Sequence, residues 1–567
     1  MHALLLRVVS QIHCQKLDNV YVDLILDNVF DAAIDKLKPG KAVDNGGVCN
    51  EALSYLGTSC FKPKLMQLFN QRANGELSAS NNWNEVTSLL FPKSPSASCV
   101  SEFRPIAIMS VVHKLYLRCL LFLLEPFLFV NSFIQHGCKK FHQASELVHI
   151  LRIVIEKSLE WGMTIVIVSL DIRKAFDTLL IDAVVDLFLK HQVPTRIAFA
   201  MLQELYEDRK CTFNVFGNIT EPIQMDKGLR QGSPEASLLF SAIVNLVLQD
   251  LSDKWKTQGR GLMLGSWLGN PNAYNDWFAS ISHNIINFDP QNLHIACLAF
   301  VDDIYILAKS LHEAQLMISD VVIAFNQIGL ELQMSKVKWM ANKYVCEPQS
   351  GYTLNVNGTK IPQSNSLVAL GSLISIDSTE IDVIEHRITA AWKTFYKWAH
   401  VLTCSEASLL SRLKFWNRTV ASSIMWCLET TRLEEGSIKR IRTTQLMMVR
   451  KMMRSKRKLL EDGSLEPWLS WQVNSLKIAK CKIQEHGVCI VNQVTIKRRN
   501  WADHLIRMGT PGKPAHLLKA VLCWRNLNWW TLQTICNELN VSPLRHVYYR
   551  PRRWEDFLQL SWLFPAN

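Results

Sequence analysis

Closely spaced cysteines are absent from this sequence. Its fifteen cysteines follow no regular spacing and include no Cys-x-x-Cys pair, whereas zinc knuckles and zinc ribbons need closely paired ligands. We therefore expect no structural zinc. Cysteines in this pattern are typical of reduced, mostly buried thiols, which suit the cytosol or the nucleus.

The sequence also lacks long apolar segments. Its N-terminal apolar run is too short for a secretory signal peptide, and no small-residue cleavage site follows it. The most apolar stretch, residues 117–130, contains Arg118, Glu125 and Pro126 and falls short of the roughly 20 residues that span a bilayer. We predict a buried helix there, in a protein of the nucleus or cytoplasm that is neither secreted nor transmembrane.

What is present is the composition of a folded, basic protein. Of the 567 residues, 48% are hydrophobic and 20% are charged, which predicts several packed units. The formal net charge of +12 favours an anionic partner, because each neutralised phosphate releases condensed counterions. Nucleic acid is the leading candidate, although a merely basic soluble protein fits the net charge equally well.

Two apolar segments end in carboxylates. Residues 163–171, MTIVIVSLD, predict a strand buried on both faces that ends in Asp171. Residues 293–309 predict two apolar strands joined by a tight turn, with Asp302 and Asp303 at its apex. An Asp-Asp pair alone is weak evidence, since a chain of this length contains about one by chance. The placement of the pair is what carries the inference.

Side by side, these strand ends would gather three carboxylates. Each like-charge pair at ~4 Å costs about 4 kcal/mol at an intermediate dielectric, so the cluster would need cations. Two Mg²⁺ ions would offset the repulsion and serve in-line phosphoryl transfer. The alternative is that the carboxylates cap neighbouring helices.

Six sequence blocks, taken in order, resemble the reverse transcriptases of non-LTR retrotransposons, although any one block alone is a weak signal. The resemblance covers about residues 31–375. The blocks are Phe103-Arg104-Pro105-Ile106, Ser169-Leu170-Asp171 through Lys174-Ala175-Phe176-Asp177, KGLRQGSP at 227–234, Ala299-Phe300-Val301-Asp302-Asp303, residues 329–340 with Lys336, and Leu370-Gly371-Ser372.

The resemblance implies an α+β fold of the right-hand polymerase type, with fingers, a palm built on an antiparallel sheet, and a helical thumb. Residues 1–87 would form an N-terminal helical extension and the start of the fingers. Residues 88–375 would form the fingers and palm of the reverse transcriptase domain, with an insertion at about 258–290. A helical thumb at 376–460 would be followed by a basic, tryptophan-rich C-terminal region of unassigned fold at 461–567.

The resemblance also implies roles for the acidic residues and for one aromatic. Asp171 and Asp302 would hold two Mg²⁺ ions, with Asp303 supporting the site, and Mn²⁺ is an alternative metal. Phe176, five residues past Asp171, looks like the aromatic that packs under the incoming sugar, where a 2′-hydroxyl would collide. The alternative for Phe176 is an ordinary core aromatic.

Four further residues match nucleotide-binding positions of the family. Gln231 and Gly232 would contact the nascent base pair, because glycine permits close backbone approach and the amide can hydrogen-bond. Arg104 would reach the triphosphate, for which a guanidinium is well shaped. Lys336 would neutralise or protonate the leaving pyrophosphate. A solvated or structural residue is the alternative for Arg104, Lys336 and the Gln231-Gly232 pair.

Several residues depart from the family's pattern. Ser237 stands where the family often has a proline, and Val301 replaces the commoner alanine. Glu235 stands where the family often has a small or apolar residue, and its carboxylate could repel a triphosphate or point away from it. The departure makes activity less certain than fold.

Basic residues follow the proposed palm. Residues 439–458 interleave Arg450, Lys451, Arg454 and Lys456 with apolar residues at helical spacing: Leu446, Met447, Val449, Met452 and Met453. They resemble a thumb helix lying on the template-primer backbone, with a solvated basic face on a packed helix as the alternative. In the tail, Lys497-Arg498-Arg499 lies among tryptophans that could stack on bases or pack in a core.

Together these features predict an RNA-directed DNA polymerase of a retrotransposon that uses template RNA, a DNA primer and dNTPs. A different class of function is also open: a catalytically degenerate fragment that at most binds nucleic acid. An RNA-templated RNA polymerase is disfavoured because Phe176 would exclude rNTPs. No endonuclease motif is evident, so we expect a fragment of a larger element, and no motif bears on oligomeric state.

Overall fold

The computed structural model describes residues 22–507 and Leu517. Within that range the described part of the chain omits short segments and one long one: residues 42, 78–82, 84, 94–95, 129–132, 141, 161, 208, 216, 264–293, 346–352, 357, 377–379, 432 and 434. The fold is a mixture of helices and sheets, with helix in excess.

The N-terminal part combines three helices with a first sheet. The helices are α1 (Asp27–Ile34), α2 (Asn50–Gly57) and α3 (Lys62–Ala73), within the segment expected to hold a helical extension. In the sheet, β1 (Glu85–Pro92) pairs antiparallel with β2 (Phe103–Ile108) and parallel with β4 (Lys210–Val215). The short strands β5 (Asn218–Ile219) and β6 (Ile223–Gln224) both pair with β4.

The central sheet is antiparallel and surrounds one buried strand, β3 (Val166–Arg173). On one side β3 pairs with β10 (Asp303–Ala308), which pairs in turn with β9 (Cys297–Phe300). On the other side it pairs with β11 (Glu331–Leu332) and β12 (Lys338–Ala341). Alternate residues of β3 are buried in two different hydrophobic cores, which confirms the prediction of a strand buried on both faces.

Helices cover this sheet. In chain order they are α4 (Val111–Leu124), α5 (Ala144–Glu160), α6 (Ala175–Thr178), α7 (Asp182–Lys190), α8 (Thr195–Tyr206), α9 (Ala236–Thr257) and α10 (Leu311–Gln327). The buried helix predicted within 117–130 is α4, which starts earlier and ends before Pro126, as expected for a residue that cannot donate to a helix. In the described part of the chain α9 has the length and apolarity to cross a membrane, but 61% of its most apolar window is buried inside the protein, as in a core helix.

Short hairpins complete this part of the chain. The strands β7 (Leu262–Met263) and β8 (His294–Ile295) pair and join the two ends of the predicted insertion at 258–290, most of which lies outside the described residues. The strands β13 (Asn355–Val356) and β14 (Thr359–Lys360) form an antiparallel pair. Next follow β15 (Ser366–Ala369) and β16 (Ser372–Ser375), which also pair.

The C-terminal part is a helical bundle with its own core. Its helices are α11 (Glu380–Lys397), α12 (Ala399–Leu402), α13 (Leu409–Trp416), α14 (Ser422–Met425), α15 (Glu435–Met452), α16 (Trp468–Glu485) and α17 (Ile490–Arg507). One hydrophobic core runs from Ile384 to Val494, so the bundle extends past the predicted boundary at 460. The helical pattern predicted to about Leu460 ends at Met452 instead.

A buried ion pair ties the first helices to α8. Arg72, which is 1% exposed, donates from Nε to Glu204 Oε1 at 2.7 Å, and His113 Nε2 lies 2.7 Å from the other carboxylate oxygen. Arg72 also pairs with Glu207. A buried carboxylate is tolerated only while such partners are present.

Arg72→Met should therefore lower the free energy of unfolding by about 3–5 kcal/mol, because Glu204 would lose a partner inside the protein. Urea denaturation followed by circular dichroism measures the change. Lys190→Met, which removes an exposed ion pair with Asp250, is the control and should cost less than about 1 kcal/mol. Equal decreases in the free energy of unfolding for the two variants would contradict the prediction.

Candidate active site

The three predicted carboxylates meet at one end of the central sheet. The register of β10 against β3 places Asp303 directly opposite Asp171, and residues opposite each other in an antiparallel pair share a face of the sheet. Asp302 precedes Asp303 in the turn between β9 and β10. Asp171 is not the last residue of its strand as predicted, since β3 continues to Arg173 and pairs there with β11.

Burial and mutual repulsion act on this cluster. Burial raises the pKa of Asp302, and the charge of Asp171 adds to the shift. The pKa of Asp303 is raised to about 6 by burial and by the charges of Asp302 and Asp171. Closely spaced carboxylate oxygens are the ligands that Mg²⁺ prefers. The donor set therefore fits the two divalent cations expected from the sequence.

The turn that presents Asp302 has a strained backbone. Val301 adopts φ +59°, which is rare for a β-branched residue. The fully buried side chain of Gln135 holds it there: Val301 N donates to Gln135 Oε1 at 2.8 Å, and Gln135 Nε2 donates to Val301 O at 3.3 Å. Gly137 is needed beside them, because a Cβ there would lie 2.6 Å from Val301 N.

The positioning role of Gln135 was not predicted from the sequence. Its partner lies 166 residues away, and a single glutamine between an isoleucine and a histidine gives no local pattern.

Lys336 lies beside Asp171. Its Nζ is 2.8 Å from Asp171 Oδ2, and it sits on the short 3₁₀ turn Met334–Lys336. Gln333 N donates to Asp171 O at 2.7 Å, which holds this turn against β3. Lys336 is thus a counter-charge for the acidic cluster, and its exposed ammonium group is available to a nucleotide.

The other predicted nucleotide-binding residues surround the loop at 228–233. Leu229 N donates to Phe176 O at 2.7 Å, and Gln231 Nε2 donates to Asp177 Oδ1 at 3.2 Å. Half-buried Phe176 packs on Phe240, with ring centroids 4.8 Å apart. The loop therefore joins the chain that leaves β3 to the start of α9.

Gly232 and Arg104, which were also predicted to bind the nucleotide, lie at β2. Gly232 adopts φ +106°, and a Cβ there would lie 3.0 Å from Ala107 O, so glycine is required for the close approach of the loop to β2. Arg104 is exposed on β2, and its positive charge acts on Asp302. Arg104 and Lys336 thus act on the carboxylates, whereas Phe176, Gln231 and Gly232 lie together around the loop at 228–233.

Glu235 is buried rather than exposed to a nucleotide. Its charge acts on two buried guanidinium groups, those of Arg209 and Arg230. Burial lowers the pKa of Arg230, and the negative charge of Glu235 opposes the shift. Glu235 therefore has a structural role and does not repel a triphosphate as considered from the sequence.

The four basic residues predicted to hold nucleic acid lie at the end of α15. Arg450 covers the ring of Trp471 at 5.0 Å, and Lys451 covers that of Tyr396 at 5.5 Å. Arg454 and Lys456 are exposed but follow the last helical residue, Met452, so they do not continue the helix.

The inner face of α15 also differs from the prediction. Met448 is buried whereas Met447 is 37% exposed, which reverses the expected face for Met447. In the next helices, Trp501 is buried and Arg498 donates to Thr431 O at 3.0 Å. These two residues of the tail serve packing.

Comparison with known proteins identifies the family of one segment of the chain. Residues 91–372 match the family described as reverse transcriptase (RNA-dependent DNA polymerase). This segment is a reverse transcriptase domain. It contains all eight residues predicted to bind metal or nucleotide, whereas Arg450, Lys451, Arg454 and Lys456 lie beyond it.

The relatives of the reverse transcriptase domain are retrotransposon proteins. The chain is 24% identical over 376 residues to the Pol polyprotein of a type-1 R2 retrotransposable element from Popillia japonica, covering 64% of this chain and 47% of that protein. It is 23% identical over 261 residues to the corresponding protein of Nasonia vitripennis, covering 45% and 22%. The chain thus spans less than half the length of these relatives.

A solved structure with distant likeness is telomerase from Candida albicans in complex with a fragment of telomeric RNA. It is 9% identical, covers 70% of this chain and 69% of that chain, and superposes with a TM-score of 0.36. Likeness at this level carries no inference about function.

Asp303→Asn should stabilise the metal-free reverse transcriptase domain. The pKa of Asp303 is about 6 in the folded protein and about 4 in an unfolded chain. The folded state therefore binds the extra proton between these values, and stability falls as pH rises through that window. Removing the charge should raise the free energy of unfolding at pH 7 by about 1–3 kcal/mol.

Urea denaturation in EDTA, repeated at several pH values between about 4.5 and 7, would measure this effect. The range covers most of the interval between the pKa of Asp303 in the unfolded chain and that in the folded protein. Asp253→Asn, at an exposed carboxylate on α9, is the matched control and should leave the pH dependence unchanged. If the stability difference between Asp303→Asn and the wild type did not grow as pH rises across this range, the raised pKa of Asp303 would be contradicted.

Proposed function

We propose that this chain is an RNA-directed DNA polymerase of a non-LTR retrotransposon, which adds deoxynucleotides to the 3′-hydroxyl of a primer by two-metal nucleotidyl transfer. The observation that carries the proposal is the placement of Asp171 opposite Asp303, with Asp302 in the adjoining turn, inside a reverse transcriptase domain. Template RNA, a DNA primer and dNTPs are the implied partners.

The described elements fit the parts of a right-hand polymerase. The central antiparallel sheet corresponds to the palm, since it carries the carboxylates. The first sheet with β1, β2 and β4 corresponds to the fingers, since β2 carries Arg104. The helices α11 to α15 correspond to the thumb, and α16 and α17 extend the same bundle.

In this proposal the metals are held by Asp171 and Asp302, and Asp303 adds negative charge beside them. Two Mg²⁺ ions bound there would supply activation of the attacking hydroxyl and stabilisation of the leaving pyrophosphate. Gln135 fixes the turn that aims Asp302. Lys336, which neutralises Asp171 in this structure, is then free to pair with the phosphates of the nucleotide.

The nucleotide would lie between the carboxylates and the loop at 228–233. Arg104 supplies positive charge for the triphosphate, and Gln231 and Gly232 provide a close backbone approach to the new base pair. Phe176 is proposed to exclude a ribose 2′-hydroxyl, since its ring is only half buried and rests on Phe240. This arrangement favours dNTPs over rNTPs.

The basic end of α15 is the proposed contact with the template-primer backbone. Lys451, Arg454 and Lys456 are exposed, and lysine and arginine bind phosphates mainly through counterion release. Arg450 is partly engaged by Trp471, so its share of the contact should be smaller.

Primer extension on poly-rA with oligo-dT and Mg²⁺ tests the activity. The wild type should extend the primer. Asp302→Ala should reduce the rate by more than about 100-fold, because several kcal/mol of transition-state stabilisation are lost with a metal ligand. Asp250→Ala removes an exposed carboxylate of α9 and should retain the wild-type rate.

The second candidate function has its own outcome in this experiment. A wild-type protein that binds the primer-template but extends nothing would instead be a degenerate retroelement fragment that binds nucleic acid. Buried Glu235 removes one of the sequence features that favoured this alternative.

Phe176→Val should admit rNTPs, because a smaller side chain leaves room for the 2′-hydroxyl. The ratio of kcat/KM for dTTP to that for UTP should fall by roughly 10-fold or more, equivalent to about 1.4 kcal/mol. Phe240→Leu changes the packing beneath the ring without removing the ring itself, and its ratio should stay near that of the wild type. Unchanged discrimination in Phe176→Val would refute the role of Phe176 in sugar selection.

A further inference from the structure

A cluster of histidines around one glutamate lies outside the proposed polymerase site. One ligand atom from each of His136, His142 and Glu146 lies within 4.8 Å of the others. His136 belongs to the segment that bridges to β9, His142 precedes α5, and Glu146 lies in the first turn of α5. A fourth residue, His504 on α17, places Nε2 2.9 Å from Glu146 Oε1.

The spacing of these atoms matches that of metal ligands. His142 Nδ1 lies 2.9 Å from Glu146 Oε2, and His136 Nδ1 lies 3.7 Å from the same oxygen. Ligands at 2.0–2.1 Å from a tetrahedral zinc ion stand about 3.3 Å apart. The observed distances lie on both sides of that value, so small side-chain rotations would admit an ion.

Burial separates this cluster from an ordinary acidic surface patch. The side chains of His136 and His142 are 1% and 3% exposed, and that of Glu146 is fully buried. A buried carboxylate needs a compensating positive charge. Lys139 is one nearby cation that acts on Glu146, and a metal ion held by imidazole and carboxylate groups is another.

We propose that His136, His142 and Glu146 form a binding site for one zinc ion. Two imidazoles and one carboxylate are ligands that zinc accepts, and His504, which pairs with the other carboxylate oxygen of Glu146, orients that ligand. The site joins the segment that bridges to β9 with the start of α5, and His504 connects α17 to it.

This proposal departs from the expectation of no structural zinc, which rested on the absence of closely paired cysteines. The ligands here follow a His-x5-His-x3-Glu spacing, and His504 lies 358 residues after the glutamate. Such a site has no compact sequence signature. It also lies next to the polymerase site, because His136 directly follows Gln135, which holds the turn at Val301.

Metal analysis of the full chain, produced without a metal-affinity tag and dialysed against metal-free buffer, is the first test. The wild type should retain about one zinc ion per chain after dialysis. The double variant His142→Asn, Glu146→Gln should retain none. His149→Asn is the matched control, since His149 is buried one turn beyond Glu146 but outside the cluster, and this variant should retain the ion.

Cobalt(II) titration of the wild type is the second test and does not depend on the folding of any variant. Binding at the proposed site should give the intense visible absorption of tetrahedral cobalt, whereas an all-oxygen site at Asp171 and Asp302 would give only weak bands. Asp302→Ala should therefore keep the intense absorption. The melting temperature of the wild type should fall by several degrees after chelation.

Wild-type protein that retains no zinc and shows no tetrahedral cobalt spectrum would overturn the proposal. Zinc that remains bound in the double variant would do so as well. The test is independent of polymerase activity, so a wild type that fails to extend primers can still support the zinc site.

Discussion

The register between β3 and β10 is the constraint on which the active site depends. A slip of one residue would turn every side chain of one strand to the opposite face, so Asp303 would no longer lie beside Asp171. The slip is prevented because both faces of both strands are buried. One hydrophobic core contains Val166, Val168 and Leu170 of β3 with Ile304 and Ile306 of β10. The other contains Ile167 of β3 with Tyr305 and Leu307 of β10. Apolar burial thus aligns the charged residues at the strand ends.

The crowded carboxylates and the strained turn raise the free energy of the folded state, and neighbouring contacts offset that cost. Val301 in the left-handed region costs on the order of 1–3 kcal/mol, and Gln135 offsets part of it with two hydrogen bonds. Lys336 neutralises part of the acidic charge. The raised pKa of Asp303 shows that the compensation is incomplete without cations. Strain of this kind at the turn that carries Asp302 is typical of a site organised before its ligands bind.

Local patterns explain what could be predicted from the sequence. The strand that carries Asp171 and the Asp-Asp hairpin depend on neighbouring residues only, and the structure contains both, the strand as Val166–Arg173. The contacts of Gln135 and the burial of Glu235 depend on segments far apart in the chain, which periodicity cannot reveal. The end of α15 at Met452 was missed because basic residues continue the helical pattern beyond it. The exposure of Met447 follows from which face α11, α16 and α17 cover, and three methionines in this helix offer more than one apolar face.

The C-terminal helices pack on the central sheet as well as on one another in the bundle. Trp501 of α17 is buried in the core that also holds Ile167 and Tyr305, on the face of the sheet that carries Asp171 and Asp303. Consecutive residues connect the two regions, since Gln135 contacts the turn at Val301 while His136 faces Glu146, the partner of His504. Removing α17 would therefore uncover part of the core to which β3 and β10 contribute. The bundle thus takes part in the packing of these two strands, whatever it contributes to binding nucleic acid.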